Sequence, residues 1–200
     1  MSTMARMDVF EAINTTRAMR RLDASRTVSD ADLRTILEAA TKAPSGGNRQ
    51  SLRWIVVTDP EVKRRLGEVY RRCASRLLEG EADSPLARSS WHLVDHFGEA
   101  PALLVACTEG SQRRPASVFG AVQNLMLAAR ALGLGTTLTT AHLEDEQAVK
   151  EILGIPDDAV TYCIVPVGHP TGRWGEARRK PVDEVAYRDR WGEPFAAQSR

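Results

Sequence analysis

Ala43-Pro44-Ser45-Gly46-Gly47-Asn48-Arg49-Gln50 separates a stretch of helical periodicity from the apolar run Trp54-Ile55-Val56-Val57. Pro44 ends the helix, because it has no N–H to donate and restricts the residue before it. Gly46 and Gly47 carry no Cβ, so the backbone can approach a bound molecule closely. Ser45, Asn48 and Gln50 offer short polar groups able to hydrogen-bond a polar heteroaromatic ring. Helix, Gly-rich polar loop and strand in succession make a candidate ligand cradle. Taken alone, a tight turn explains the same residues equally well.

Upstream of the loop, Ser29 opens a helix with Asp32 in the capping-box position, and Leu33, Ile36, Leu37 and Ala40 follow at helical spacing. Asp8, with Glu11 three positions on, opens an earlier one. Downstream, Asp59-Pro60-Glu61 starts a third helix, with proline in the first turn where its missing N–H is harmless. Leu66, Val69, Tyr70, Cys73 and Leu77 give it an apolar stripe. Gly80 to Pro85 is a polar break, and a short helix follows from Leu86 to Phe97. This region is the least core-like in composition and is the candidate for a flap over a pocket.

Ala102 to Cys107 reads as a buried strand. Ser117 to Leu132 has little polar face, since Val118, Phe119, Val122, Leu125, Met126, Leu127 and Leu132 alternate with alanines. Such a helix should be buried on most sides, and a place at a dimer interface explains it best. Thr136 to Thr140 is strand-like. Glu144 to Leu153 is an amphipathic helix closed by Gly154 and followed by Pro156. Tyr162 to Val167 is the last strand, in which Pro166 suggests an edge or a bulge. Beyond Gly168 the chain turns polar with little core of its own, and such a tail packs on something else. Helices first, then strands alternating with helices, imply a sheet covered by helices; spacing does not fix the strand directions.

The 200 residues fit one domain able to bury a real core. A net charge of +1 gives no reason to expect nucleic acid or an anionic membrane as partner. The apolar stretches fall far short of the ~20 residues that span a bilayer. Met1 to Arg6 are not followed by an apolar signal core, so the expected location is the cytoplasm. Cys73, Cys107 and Cys163 lie apart without a CxxC pair and read as buried, reduced thiols. His92 and His96 stand at i and i+4 without the glutamate of HExxH, so no metal is expected. There is no GxGxxG and no GxxxxGK[ST]. Lys63-Arg64-Arg65 and Arg71-Arg72 read as a solvated helix face. Trp54 belongs to the core; Trp91 or Trp174 could stack on a substrate, and His142 and His169 could border the pocket.

Together with Thr16-Arg17-Ala18-Met19-Arg20-Arg21, Gly120-Ala121-Val122-Gln123-Asn124-Leu125, Leu153-Gly154-Ile155-Pro156 and Arg178-Arg179-Lys180-Pro181, the loop resembles the nitroreductase family of FMN-dependent oxidoreductases. The resemblance runs from residue 8 to 195. It implies an α+β fold with helices on both sides of a central, mainly antiparallel sheet. It also implies one domain over 1–200 and an intertwined homodimer, with 170–200 as an arm wrapping the partner. Arginine suits a phosphate because its guanidinium is a planar fork of donors. The implied flavin-phosphate residues are Arg17, Ala18, Met19, Arg20 and Arg21, closed by Arg178 and Arg179. Pro44, Ser45, Gly46 and Asn48 match the loop that reaches the flavin from the partner subunit, with Gln50 just beyond. Thr139 and Thr140 match the segment beside the isoalloxazine ring.

Thr16 and Ala18 replace the first arginine and the serine usual in the N-terminal motif. Two lost charge-assisted contacts would weaken FMN binding by roughly 2–4 kcal/mol, unless Arg21 or Arg178 takes their place. The implied reaction passes a hydride from NADPH or NADH to flavin N5 and then to a planar acceptor such as a nitroaromatic or quinone. No catalytic acid, base or nucleophile of the protein is required. Flavin–oxygen chemistry, dehalogenation, and flavin sequestration or sensing without turnover are the alternatives.

Overall fold

Asp8, Ser29 and Asp59 each begin a helix by accepting hydrogen bonds from backbone N–H groups of its first turn, as their spacing predicts. In the computed structural model, which describes residues 7–111 and 113–195, six α-helices and four strands result. The helices are α1 (Val9–Thr15), α2 (Asp30–Thr41), α3 (Pro60–Leu78), α4 (Pro85–His96), α5 (Pro115–Ala131) and α6 (Glu146–Leu153). The strands are β1 (Leu52–Val57), β2 (Ala102–Thr108), β3 (Gly135–Thr136) and β4 (Val160–Gly168). The expectation about Met1 to Arg6, and the last residues of the 170–200 arm, lie outside the described residues.

The sheet runs β1-β2-β4-β3 with every pair antiparallel. Every residue of β2 and β4 is buried, because helices cover both faces. The period-two alternation of a strand divides the two cores. Ala102, Leu104 and Ala106 face α2 and α5 in one cluster with Ile36, Val118, Val122 and Leu125. Leu103 and Val105 face the other way, against Leu66, Val69 and Tyr70 of α3, Leu93 of α4 and Val149 of α6. The arrangement is the expected three-layer α-β-α.

Several local expectations need correction. Pro166 sits in β4, an interior strand, opposite Leu103. It is tolerated because β3 stops at the Thr136–Val167 pair and resumes only as an isolated Thr139–Ile164 bridge, so the stretch beside Pro166 is not laddered. The register slip of β4 falls instead at Tyr162, opposite Ala106 and Cys107. Thr136 to Thr140 is therefore only briefly a strand. Leu77 does not continue the buried stripe of α3; it is 55% exposed. Helix α5 is not buried on most sides within the chain: Phe119 is 39% exposed, and Gly120 and Gln123 face outward with it. Gly154 does close α6, in the left-handed conformation with φ 64°.

Candidate functional site

The arginine-bearing segment after α1 is stitched to the β3–β4 end of the sheet. Met19 N–H donates to the Thr136 carbonyl at 2.8 Å, and Thr171 N–H donates to the Arg21 carbonyl at 3.1 Å. Asp23 N–H donates to the His169 carbonyl at 2.8 Å, and Leu22 bridges Pro170. Two glycines permit this close approach. A Cβ on Gly135 would stand 2.8 Å from Met19 Cβ, and one on Gly168 would stand 2.7 Å from Pro101 Cδ. Met19 itself is buried, so its contribution is to anchor the backbone between Arg17 and Arg20.

That anchoring sets Arg20 over the segment Thr137 to Ala141. Between them and the C-terminal end of α3 lies a cavity of about 250 Å³. Tyr70, Leu77, Leu78, Leu93 and Leu138 make its apolar walls, Thr139 and Thr140 offer polar groups, and Arg20 is the one charged residue of the lining. Tyr70 stacks on Phe97 with ring centroids 3.9 Å apart, and its hydroxyl meets Thr139 Oγ1 at 3.3 Å. Burial pushes the Tyr70 phenol upward, so it stays protonated and remains a hydrogen-bonding group rather than a charge. Thr139 is held twice more, by backbone bonds to Ile164 in both directions at 3.0 Å.

A smaller cavity of about 160 Å³ lies on the other side of Arg20, bordered by His92, His96 and Glu99. His92 Nδ1 faces Arg21 at 3.2 Å, and His96 Nδ1 faces Glu99 at 2.9 Å. Desolvation and the Arg21 guanidinium hold His92 below its ordinary value. Arg21 thus turns toward α4. Among the described residues, no group of three or more His, Cys, Asp or Glu is arranged to hold a metal ion.

The Pro44–Gln50 loop is built as the sequence suggests, between α2 and β1. Ser45 Oγ accepts from Gln50 N–H at 3.1 Å, Gln50 Nε2 donates to Asn48 Oδ1 at 3.1 Å, and Gly46 N–H donates to Ser117 Oγ at 3.1 Å. Asn48 and Gln50 hold φ of 51° and 50°, a left-handed conformation uncommon for side-chain-bearing residues. Such strain persists where surroundings enforce it and concentrates at ligand sites. The loop borders its own cavity, about 230 Å³, with Trp54 and Ser117.

Within one chain, then, Arg20, Thr139 and Thr140 share a cavity, while Ser45 and Gln50 line another. Arg17 and Ala18 are exposed and line neither cavity. Arg178 and Arg179 are exposed, with Arg179 donating to the Arg178 carbonyl at 2.9 Å. Arg130 lies over one face of the Trp174 ring at 4.3 Å, and Trp174 does not line the Arg20 cavity. His169 turns to the Thr27 carbonyl at 3.3 Å, and His142 is wholly buried behind the Thr139–Thr140 wall, so neither lines the cavity. The role of Tyr70 as a cavity wall escaped sequence reading, because helical spacing marks it only as core.

The model of the nitroreductase family matches residues 13–169. The chain belongs to the nitroreductase family. It is 29% identical over 202 residues to an NADH dehydrogenase of Thermus thermophilus, covering 92% of this chain and 97% of the relative. An iodotyrosine deiodinase of Thermotoga neapolitana is 32% identical over 145 residues, covering 70% of this chain and 76% of that protein. Among solved structures, an iodotyrosine deiodinase bound to FMN and 3-iodo-L-tyrosine superposes with a TM-score of 0.76 at 26% identity, over 92% of this chain and 99% of the other. The Arg20 cavity fits a flavin chemically: apolar walls for a ring, threonine hydroxyls at its edge, and a guanidinium for an anionic tail.

Proposed function

We propose that this nitroreductase is an FMN-dependent NAD(P)H oxidoreductase that acts as a homodimer, each flavin seat being completed by the Pro44–Gln50 loop of a second copy. The observation that carries this reading is the division of the implied flavin residues between two cavities of one chain, Arg20, Thr139 and Thr140 at one and Ser45 and Gln50 at the other. FMN, when bound, supplies two-electron transfer between the nicotinamide and an acceptor. The chain's own residues bind and orient it. Arg20 neutralises the phosphate, and Arg17, Arg178 and Arg179, exposed in the single chain, are the further cations available to it; Thr139 and Thr140 hydrogen-bond the ring edge; Tyr70 and the leucines exclude water.

Homodimerisation is further supported by apolar residues left open to solvent on α1, α5 and the C-terminal segment. Phe10 is 69%, Val182 61% and Trp191 91% exposed. In this reading 170–200 is an arm laid over the partner and the rest of the chain is one domain. The free, buried cysteines suit a cytoplasmic setting, and no helix among the described residues is long and apolar enough to cross a membrane. The acceptor is a planar conjugated molecule such as a nitroaromatic or quinone.

An absorbance spectrum of the purified protein, followed by anaerobic NADPH or NADH, tests the proposal. Flavin bands that bleach with either nucleotide support it. Bound flavin that neither nucleotide bleaches would replace it with sequestration or sensing, and a protein that cannot be loaded with FMN would end it.

A further inference from the structure

Thr139 and Thr140 lead directly into a short 3-10 turn, Ala141–Asp145, whose second residue is His142. His142 has no exposed surface, and its Nε2 lies 3.0 Å from Thr161 Oγ1 on β4. The Glu146 carboxylate at the start of α6 accepts from both Thr161 N–H at 2.7 Å and Thr161 Oγ1–H at 2.8 Å. Thr161 spends its hydroxyl proton on Glu146, so its oxygen is left to accept. Nε2 must therefore carry the imidazole proton and donate it. Nδ1 is then a bare acceptor, and no described group donates to it.

The segment Thr139–His142 is thus tied to β4 at both ends: by the Thr139–Ile164 backbone bridge and by the His142–Thr161 hydrogen bond. We propose that His142 is a positioning residue that, in its neutral Nε2–H form, holds the turn presenting Thr139 and Thr140 to the cofactor cavity. This rests on the FMN reading for its consequence, though not for its geometry. A second proton on Nδ1 would create a buried cation with no acceptor for the new N–H. The charged groups around the turn do not offset it. Glu146 is already shared among Thr161, Arg113 at 3.1 Å and Lys150 at 4.0 Å, and Asp145 is paired with Arg72 of α3 at 2.6 Å. Desolvation accordingly holds His142 well below its ordinary value, at about 4.

The test compares wild type with His142→Gln, which keeps a donor but cannot ionise, and His142→Leu, which removes the bond. Two readouts are taken at about pH 7.5 and about pH 5.5: amide hydrogen exchange of residues 139–146 corrected for chemical exchange, and FMN affinity by fluorescence. An opened turn would return His142 to its ordinary value, so opening in wild type rises roughly tenfold at the lower pH. In His142→Gln it stays flat. In His142→Leu opening is raised roughly fivefold at both pH values and FMN binds more weakly. Exchange in His142→Gln that keeps the wild-type pH dependence would overturn the proposal, as would FMN affinity in a folded His142→Leu equal to wild type. If the wild-type protein itself does not bind FMN, the cofactor reading fails and the positioning role toward it fails with it, while exchange alone still decides whether His142 anchors the turn.

Discussion

The wall that carries Arg20 and Thr139 and the segment beyond Pro170 are neighbours in the fold but differ in how they are held. The wall is fixed from several sides by backbone bonds to Thr136, Ile164, His169 and Thr171, over glycines that leave no room for a Cβ. Residues 182–195 are exposed almost throughout and contribute Val182, Val185 and Trp191 to solvent rather than to a core. Arg130 of α5, only 8% exposed, joins α1 to the start of the second region: it donates to Thr15 Oγ1 at 2.9 Å and packs on Trp174. A region tied down by its own backbone stands beside one whose apolar side chains, among the described residues, stay largely open to solvent. The first sets the geometry of the cavity; the second is the surface that the proposed homodimer would cover.

The contrast can be broken first at Arg20. Arg20→Glu removes the one charge of the cavity lining and opposes a phosphate with a carboxylate. FMN affinity should fall by at least about a hundredfold while the far-ultraviolet circular dichroism spectrum is unchanged. Acid acts on the wall next. His142 binds its second proton at about 4 when folded and at the ordinary 6.5 when unfolded. The unfolded chain therefore takes up more protons between those values. Stability is complete above pH 6.5 and falls as pH drops toward 4, by roughly 3 kcal/mol. Urea titrations across this window should show the loss in wild type and its absence in His142→Gln.

Gly168→Ala forces a methyl against Pro101 and Leu22. Overpacking of that kind costs about 1–3 kcal/mol, which a thermal melt would register as a lower midpoint. The smallest effect is expected in the other region. Trp191→Ser should change the unfolding free energy of the dissociated chain by less than about 0.5 kcal/mol, yet shift sedimentation toward the monomer at equal concentration.

Much of this architecture could be read from residues whose effect is local. Caps at Asp8, Ser29 and Asp59, the proline after α2 and the glycine after α6 act through the neighbouring backbone, so sequence spacing reports them faithfully. The apolar runs of β2 and β4 likewise announce burial on both faces. What spacing could not supply was long-range. Pro166 in an interior strand depends on where β3 breaks off. The exposure of Leu77 depends on the cavity that α3 borders at its end. His142 looked like a pocket residue from its neighbours in the chain, and its burial follows from Thr161 and Glu146, which only the fold brings to it. Within the candidate site, Arg20 and Thr139 to Thr140 are brought to one cavity, while the loop at Ser45 to Gln50 and the pair Arg178 and Arg179 are not brought there by the same chain.

A seat shared by two copies is tested most directly by mixing two broken chains. Arg20→Glu spoils the wall and Ser45→Glu spoils the loop, and each protein alone should purify without flavin. Co-expressed, random pairing gives half heterodimers, each with one intact wall facing one intact loop, so bound FMN should return to about a quarter of the wild-type amount. A mixture that stays colourless would mean that wall and loop serve the same flavin within one chain, and the two-copy seat would be wrong.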